Sequence, residues 1–307
     1  MLALQKEKEY ITLRQALREG ELVFFTVFYG NLSVQNKLSS LYKEDSRHPI
    51  SSGCLFYIDY LSRIAEKRKE KKMINSKECC DRFVKVWRKR VHRDGADSLL
   101  NWLMNETDFF TAPASSRYHG AEEGGLCFHS LNVYYRLRKE YKEKKAVDAG
   151  KFQLWEYEDG DIPTMPLTDQ EEEAIAIVAL LHDLCKTNFY VVDYKNQKTY
   201  DIEKVSKASK WEVKHDNAGD FIWEKVPYYK VEDTRYYGHG ECSVDLIRDF
   251  LKLDNDERLS IRWHMGFSGS EFKGGDGTVG TAFEHCPLAV LTHEADLSAT
   301  YIDEARA

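Results

Sequence analysis

The sequence predicts an all-α fold with a small β-hairpin insertion and a helical N-terminal region. Apolar residues recur at helical spacing in several segments, and residues 174–181 (AIAIVALL) are apolar on every side. By contrast, residues 189–200 (FYVVDYKNQKTY) are typical of a short hairpin with its turn near 195–197. With 307 residues, 42% of them apolar, the chain can bury a sizeable core in one large domain or two small ones.

The first third of the chain, residues 1–108, is predicted to be a helical region without an assigned role. Residues 55–65 (LFYIDYLSRIA) and 80–87 carry apolar side chains at helical spacing, whereas the surroundings of Pro49 and Gly53 are typical of loops. A stretch with Pro, Ser and Gly, TAPASSRYHG, then leads into a second domain that is predicted to span residues 109–307.

Two helices are predicted at the start of the second domain. Gly124 and Gly125 precede an apolar stripe at helical spacing, formed by Leu131, Tyr134, Leu137 and Tyr141. The next helix begins with a capping box, Thr168 with Glu171, and its glutamates suit the positive end of the helix dipole. This helix includes the apolar run 174–181, so we expect it to be the central one.

The rest of the domain is predicted to hold an insertion followed by three helices. Residues 190–237 form the insertion over the site, with a second extended segment at 221–231. One helix then starts after GHGE (238–241), one is capped by Asp254 with Glu257, and the last starts at Pro287.

Charge and cysteine content exclude several classes of protein. The net charge of −7 disfavours a protein that coats duplex nucleic acid, and we interpret the basic clusters at 66–72 and 85–93 as solvated helix faces. Seven cysteines without regular spacing or a CxxC pair indicate reduced thiols and a cytoplasmic protein. Neither a membrane-spanning run nor a signal-peptide pattern is present in the sequence.

Six polar residues lie at or near the edges of the apolar runs. His182 and Asp183 end the most apolar run, and a buried carboxylate is costly unless it is paired or binds a metal ion. The other candidates with the same kind of placement are His129, His239, His264 and Asp296. Imidazole and carboxylate groups suit zinc, iron, manganese and similar ions, so the set predicts a metal site.

The phrases GGLCFHS, LLHDLCK, GHGECS, RWHMG and HEADLSATY resemble the five successive helix motifs of the HD-domain superfamily of metal-dependent phosphohydrolases. The resemblance covers about residues 111–302 and is to the bacterial branch with exoribonuclease-like HD domains and phage- or mobile-element-associated hydrolases. A lone His-Asp pair is a weak signal, whereas the ordered set is specific. The resemblance implies an HD-domain helical bundle.

The resemblance also implies a role for each matching residue. The ligands of a first metal ion would be His129, His182, Asp183 and Asp296. Asp183 would bridge to a second ion, whose other ligands would be His239 and His264. Lys186 matches the lysine that often faces substrate phosphate.

One position departs from the family pattern. Related sequences often have two adjacent histidines where this one has His264 and Met265, and methionine is a poor ligand for a hard ion. The expected cofactor is therefore one or two divalent ions, with manganese, iron, zinc, nickel, cobalt and magnesium not distinguished.

The predicted activity is metal-dependent hydrolysis of a phosphoester or phosphoanhydride bond in a nucleotide or a short oligonucleotide. Asp183 and Lys186 would take part in catalysis. Two alternatives stay open. One is an HD-type di-iron oxygenase, because some relatives use a similar ligand set to cleave carbon–carbon or carbon–phosphorus bonds, and the other is a non-catalytic nucleotide-sensing module.

Further candidates flank the ligand set. His119 is a candidate to protonate a leaving group or to contact phosphate, and Arg262 is a candidate to bind phosphate, with a surface role as the alternative. We interpret His285 and His293 as structural residues. Aromatic residues between Trp223 and Tyr237 are expected mainly to pack the insertion, with one or two lining the substrate pocket.

Overall fold

A computed structural model describes residues 74–150 and 162–304, together with Gln153. These residues belong to one compact unit, Lys72–Ala307. Its fold is mainly helical with one small antiparallel sheet, as predicted. None of the helices in the described ranges is long and apolar enough to cross a bilayer. The predicted helix at 55–65 and the loops around Pro49 and Gly53 lie outside the described residues.

The helices of the described ranges follow one another with short connections. In chain order they are α1 (Ser76–Arg90), α2 (Ala96–Asn105), α3 (Gly125–Asp148), α4 (Asp169–Leu181), α5 (Ile202–Lys207), α6 (His239–Arg248), α7 (Asn255–Arg262), α8 (Ser270–Lys273), α9 (Thr278–His285) and α10 (Pro287–Ser298). A 3₁₀ turn, Leu184–Lys186, follows α4, a second one, Gly266–Ser268, follows α7, and a π-helical turn, Ala299–Asp303, follows α10.

Both predicted capping boxes are present. At the start of α4 the Thr168 hydroxyl accepts from the Glu171 backbone N–H at 3.2 Å, and the Glu171 carboxylate accepts from the Thr168 N–H at 2.7 Å. Asp254 and Glu257 make the same reciprocal pair at the start of α7. Each box satisfies backbone donors that the first turn of a helix leaves unpaired, and so fixes where the helix begins.

Helix α4 is the centre of the core. Residues 175–181 are at most 1% exposed. Helices α1, α3 and α7 pack against α4, and α10 packs against both α3 and α7. The apolar run that was expected to be central is therefore surrounded by helices. The last turn of α4 also lies among these helices.

Close backbone contact fixes the start of α3. A Cβ atom on Gly125 would lie 1.9 Å from the Gly120 carbonyl oxygen, which leaves no space for any other residue. The Ala114 N–H donates to that same carbonyl at 2.9 Å. Residues 114–120 are thus packed closely against the first turn of α3. His129 lies one turn further along the same helix.

Helices α1 and α2 belong to this core. Phe83, Trp87, Leu99 and Leu103 are at most 1% exposed, and Phe83 packs edge-on against Phe109. The helix predicted at 80–87 lies within α1. The sequence predicts a separate region that ends at residue 108 and includes both helices. In the structure, α1 and α2 share one hydrophobic core with α3 and α4. We therefore place the start of this unit at Lys72.

The sheet lies within the predicted insertion. Its strands are β1 (Tyr190–Thr199), β2 (Lys214–Asp216) and β3 (Gly219–Val231), in the order β1-β3-β2. The register pairs Tyr190 with Val231 and Thr199 with Ile222. The extended segment predicted at 221–231 is confirmed as part of β3. The turn predicted at 195–197 is wrong, because those residues continue β1 and find their partners on β3.

Candidate metal centre

Three buried imidazoles meet at the centre of the bundle. His129 lies in the second turn of α3, His182 follows the last residue of α4, and His264 follows α7 by two residues. All three are fully buried. The Nε2 atoms of His129 and His182 are 3.2 Å apart, and the ring centroids of His182 and His264 are 4.9 Å apart. The close packing of these helices thus brings together residues that are far apart in sequence.

Two carboxylates complete the cluster. Asp296 Oδ1 lies 3.1 Å from the His129 Nε2 atom. Asp183 Oδ2 lies 3.5 Å from His182 Nε2 and 3.8 Å from His129 Nε2, and its Oδ1 lies 3.4 Å from His264 Nε2. Five of the six predicted ligands therefore lie within one buried cluster.

The orientation of each ring is set by its other nitrogen. His182 Nδ1 lies 2.8 Å from the Ala179 carbonyl oxygen, and His264 Nδ1 lies 2.7 Å from that of Ile261. A carbonyl can only accept, so both Nδ1 atoms carry hydrogen and both Nε2 atoms of the neutral rings present a lone pair to the cluster. This arrangement is typical of histidines that bind metal ions through Nε2.

His129 is held by a carboxylate that the sequence analysis missed. Its Nδ1 lies 3.1 Å from Glu304 Oε1, and Glu304 also accepts from the Asn132 amide at 2.8 Å. Glu304 is 1% exposed and follows the π-helical turn after α10. The signal in the sequence was weak, because an acidic residue near the end of a chain looks like ordinary solvated surface.

The cluster holds more negative than positive formal charge. Asp183, Asp296 and Glu304 are all buried, and the Lys186 ammonium contacts one of them, at 2.6 Å from Asp183 Oδ2. Burial opposes the charge of Asp183, but Lys186 and His182 hold the pKa of this carboxyl well below its usual range. Burial likewise opposes charge on His129, yet Glu304 and Asp296 raise the pKa of its imidazole to about 10. These carboxylates therefore attract a further positive charge, whether a proton or a metal ion.

The donor set fits a divalent metal ion. His129, His182 and Asp296 can each offer an atom within 4.8 Å of the others, and the same holds for His182, Asp183 and His264. Two ligands at right angles, each about 2.1 Å from one ion, are about 3 Å apart. The observed separations of 3.1 to 3.5 Å among neighbouring donors are close to this value.

Two buried atoms of the cluster make no hydrogen bond. They are Asp183 Oδ1 and His264 Nε2, which lie 3.4 Å apart. Buried polar atoms are almost always paired, so a pair without partners calls for an explanation. An ion bound by both atoms supplies one.

His239 lies outside this cluster. Its Nδ1 is 3.2 Å from the Cys185 Sγ atom, and its ring packs against Phe189. The Ser243 hydroxyl also accepts from the Cys185 N–H at 3.1 Å. These contacts attach the first turn of α6 to the 3₁₀ turn after α4. The His239 Nδ1 atom faces a thiol, and His239 belongs to none of the groups of donor atoms within 4.8 Å of one another in the described part of the chain.

Arg262 is also directed elsewhere. Its guanidinium donates to the Glu241 and Asp276 carboxylates at 3.0 and 2.9 Å, and it packs over the Trp263 ring. The guanidinium is already paired with two carboxylates, so we do not include Arg262 among the residues that contact substrate. The structure thus favours the alternative of a surface role for it.

His119 lies beside the cluster. Its ring centroid is 4.9 Å from that of His129, and its buried Nε2 makes no hydrogen bond. Burial, together with the positive charges of His129 and Lys186, lowers the pKa of His119 to about 4. The imidazole is therefore neutral near pH 7, which disfavours the predicted role as a proton donor to a leaving group.

His293 has a structural contact, in line with its interpretation from the sequence. Its Nδ1 donates to the His264 carbonyl oxygen at 2.6 Å. A Cβ atom on Gly266 would lie 2.6 Å from the His293 ring. The ring therefore packs tightly under the turn that carries His264 and supports its position.

Comparison with known proteins identifies no relative. No family model matches the chain, and no curated protein or solved structure matches it significantly.

Proposed function

We propose that the protein is a divalent-metal-dependent phosphohydrolase with an HD-type helical bundle, and that it cleaves a phosphoester or phosphoanhydride bond of a nucleotide or a short oligonucleotide. The observation that carries the proposal is the buried cluster of His129, His182, His264, Asp183 and Asp296, in which Asp183 Oδ1 and His264 Nε2 face each other at 3.4 Å without a well-formed hydrogen bond. The ordered motifs that resemble HD-domain proteins agree with this donor set.

The identity of the donors narrows the choice of metal. Three imidazoles and two carboxylates suit manganese, iron, cobalt, nickel or zinc. Magnesium prefers oxygen ligands and keeps several waters, so it fits this cluster least. When bound, such an ion would lower the pKa of a water molecule and offset negative charge on a phosphoryl group.

Lys186 is the residue that we assign to the substrate phosphate. Its ammonium lies 2.6 Å from Asp183 Oδ2, at the edge of the metal ligands. Burial opposes its charge, but the Asp183 carboxylate raises the pKa of Lys186, so the side chain stays cationic near neutral pH. A phosphate beside the cluster would find this cation already in position, which is what electrostatic catalysis needs.

The first experiment measures bound metal and turnover in the same preparations. Purified protein would be analysed for metal content and then incubated with manganese and a panel of nucleoside mono- and triphosphates, cyclic dinucleotides and short single strands. Asp183→Ala and the nearly isosteric Asp183→Asn would run beside it. We expect both variants to lose metal affinity and turnover by about 100-fold or more, because each removes a charged ligand.

The exposed His285 provides a matched control, since His285→Ala also removes a charged or ligating group but leaves the cluster intact. Circular dichroism would show that the helices survive. Full metal occupancy in both Asp183 variants would contradict the proposal. Bound iron with oxygen consumption and no phosphate release would instead identify an oxygenase.

A further inference from the structure

A cavity of about 510 Å³ lies beside the metal centre. Its aromatic lining consists of Phe189, Tyr236 and Tyr237, and its polar lining includes Asp233 and His239. Cavities of about 300–1,000 Å³ that combine aromatic walls with a few polar groups are typical of small-molecule sites. This one is large enough for a nucleobase with its sugar.

The cavity reaches the turn that follows the metal centre in the chain. Cys185 lines the cavity and belongs to the 3₁₀ turn that directly follows Asp183 and includes Lys186. The Cys185 thiol contacts the Nδ1 atom of His239, a second lining residue, at 3.2 Å. A ligand in the cavity is therefore next to the turn that we assign to the substrate phosphate.

The loop that forms the rim is held in an unusual conformation. Tyr236 has a φ of +60°, a left-handed backbone conformation that is rare for a residue with a large side chain. The Asp233 carboxylate supports it by accepting from the N–H groups of Arg235 and Tyr236 at 2.9 and 3.3 Å. Such strain persists only where the surroundings fix it, and it is concentrated at ligand sites.

Arg235 fastens this loop to the turn after α4. Its guanidinium donates to the carbonyl oxygens of Cys185 and Thr187 at 3.1 and 3.2 Å. Tyr236 and Tyr237 nevertheless remain 83% and 54% exposed. The contacts of Asp233 and Arg235 thus hold the backbone of this loop at the cavity, and the exposed side chains of both tyrosines can contact a ligand.

We propose that this cavity binds the base of the substrate nucleotide, and that Tyr237 stacks on it. This inference rests on the proposed function, because it places the phosphate of the same molecule at the metal centre. Aromatic side chains stack on the faces of nucleobases. The Asp233 carboxylate is an acceptor that can pair with an N–H group on the edge of the base, either an exocyclic amino group or a ring N–H.

The test measures binding of nucleosides, which lack phosphate, to the full chain in the presence of EDTA. Calorimetric titrations would use adenosine, guanosine, cytidine and uridine, with ribose 5-phosphate as the probe that lacks a base. We expect at least one of the four nucleosides to bind more tightly than ribose 5-phosphate. Tyr237→Ala should weaken that binding by about 5- to 100-fold, because it removes one stacking contact.

Two variants serve as controls. Tyr237→Phe keeps the ring and should bind within about twofold of the unaltered protein. Tyr194→Ala removes a tyrosine of β1 with 63% exposure that does not line the cavity, and it should leave binding unchanged. Circular dichroism would confirm that Tyr237→Ala is folded.

The outcomes separate this inference from the proposed function. No nucleoside binding at millimolar concentration, or binding that Tyr237→Ala leaves intact, overturns the base site. Ribose 5-phosphate binding as tight as that of every nucleoside likewise overturns the base site. Nucleoside binding that persists in a protein without phosphohydrolase activity supports the base site and counts against the proposed function alone.

Discussion

The orientation of the three histidines in the candidate metal cluster is set by the groups that their Nδ1 atoms contact. Ala179 and Ile261 contribute backbone carbonyls, which any side chain at those positions would leave in place. Glu304 is different, because its side chain alone holds His129 Nδ1, and the carboxylate makes the imidazole a stronger ligand. Among the three orienting partners, this is the one that a single substitution can change.

Glu304→Gln should weaken metal binding by about 10- to 100-fold while leaving the fold intact, because the amide keeps the shape of the side chain and loses its charge. Metal titration of the apo protein measures this effect. The adjacent Asp303 is the matched control, since its carboxylate pairs with Arg136 at an exposed position, and Asp303→Asn should change metal affinity little. Equal affinities of the two variants would contradict the role of Glu304.

At the scale of elements, one arginine joins three parts of the bundle that surround the site. Arg93, between α1 and α2, donates to both oxygens of Glu257 on α7, at 2.8 and 2.7 Å. It also contacts Glu173 on α4 at 3.3 Å. Glu257 is fully buried and serves in the capping box of α7, so the pair fixes the helix that leads to His264.

Arg93→Met should lower the free energy of unfolding by about 3–5 kcal/mol, because Glu257 would keep its buried charge and lose its cation. Arg93→Lys keeps the positive charge but not the bidentate hydrogen bonds, so its free energy of unfolding should fall less than that of Arg93→Met. Arg136→Met, which breaks a partly exposed pair with Asp303, should change stability by only about 0–1 kcal/mol. Urea denaturation of the three variants gives the comparison, and equal losses for Arg93→Met and Arg136→Met would refute this account.

At the scale of the whole molecule, the unit that carries the site includes α1 and α2. Helix α1, with Phe83 and Trp87, packs against α3 and α4, and Leu99 and Leu103 of α2 belong to the same buried apolar cluster. A bundle without them would expose a large apolar surface around the helix that ends in His182. The site therefore depends on helices that contribute no ligand to it.

A chain of residues 72–307 should therefore unfold cooperatively, whereas residues 109–307 alone should aggregate or lack a cooperative transition. Each large core side chain contributes about 1.5–3 kcal/mol by its burial, so the loss of four, about 6–12 kcal/mol, is comparable with the whole stability of a typical domain. Differential scanning calorimetry of both fragments tests this. A cooperative transition of the shorter fragment at a similar temperature would show that the unit begins near residue 109.

Patterns within the sequence predict the helical class, the two capped helix starts and the central position of α4. They also predict five members of the candidate metal cluster. These features are local, because periodicity, capping boxes and a charged pair after an apolar run are encoded within a few residues. The predicted hydrolase activity depends on the same motifs and stays a prediction.

Contacts between side chains and strands that are far apart in the sequence are seen only in the tertiary structure. The contact of His129 with Glu304, the contact of His239 with Cys185 and the long pairing of β1 with β3 each join segments that no local pattern links. The same holds for the place of α1 and α2 in the core. Side chains separated by many residues come together only through packing, and the free energy of that packing depends on the whole set of helices at once.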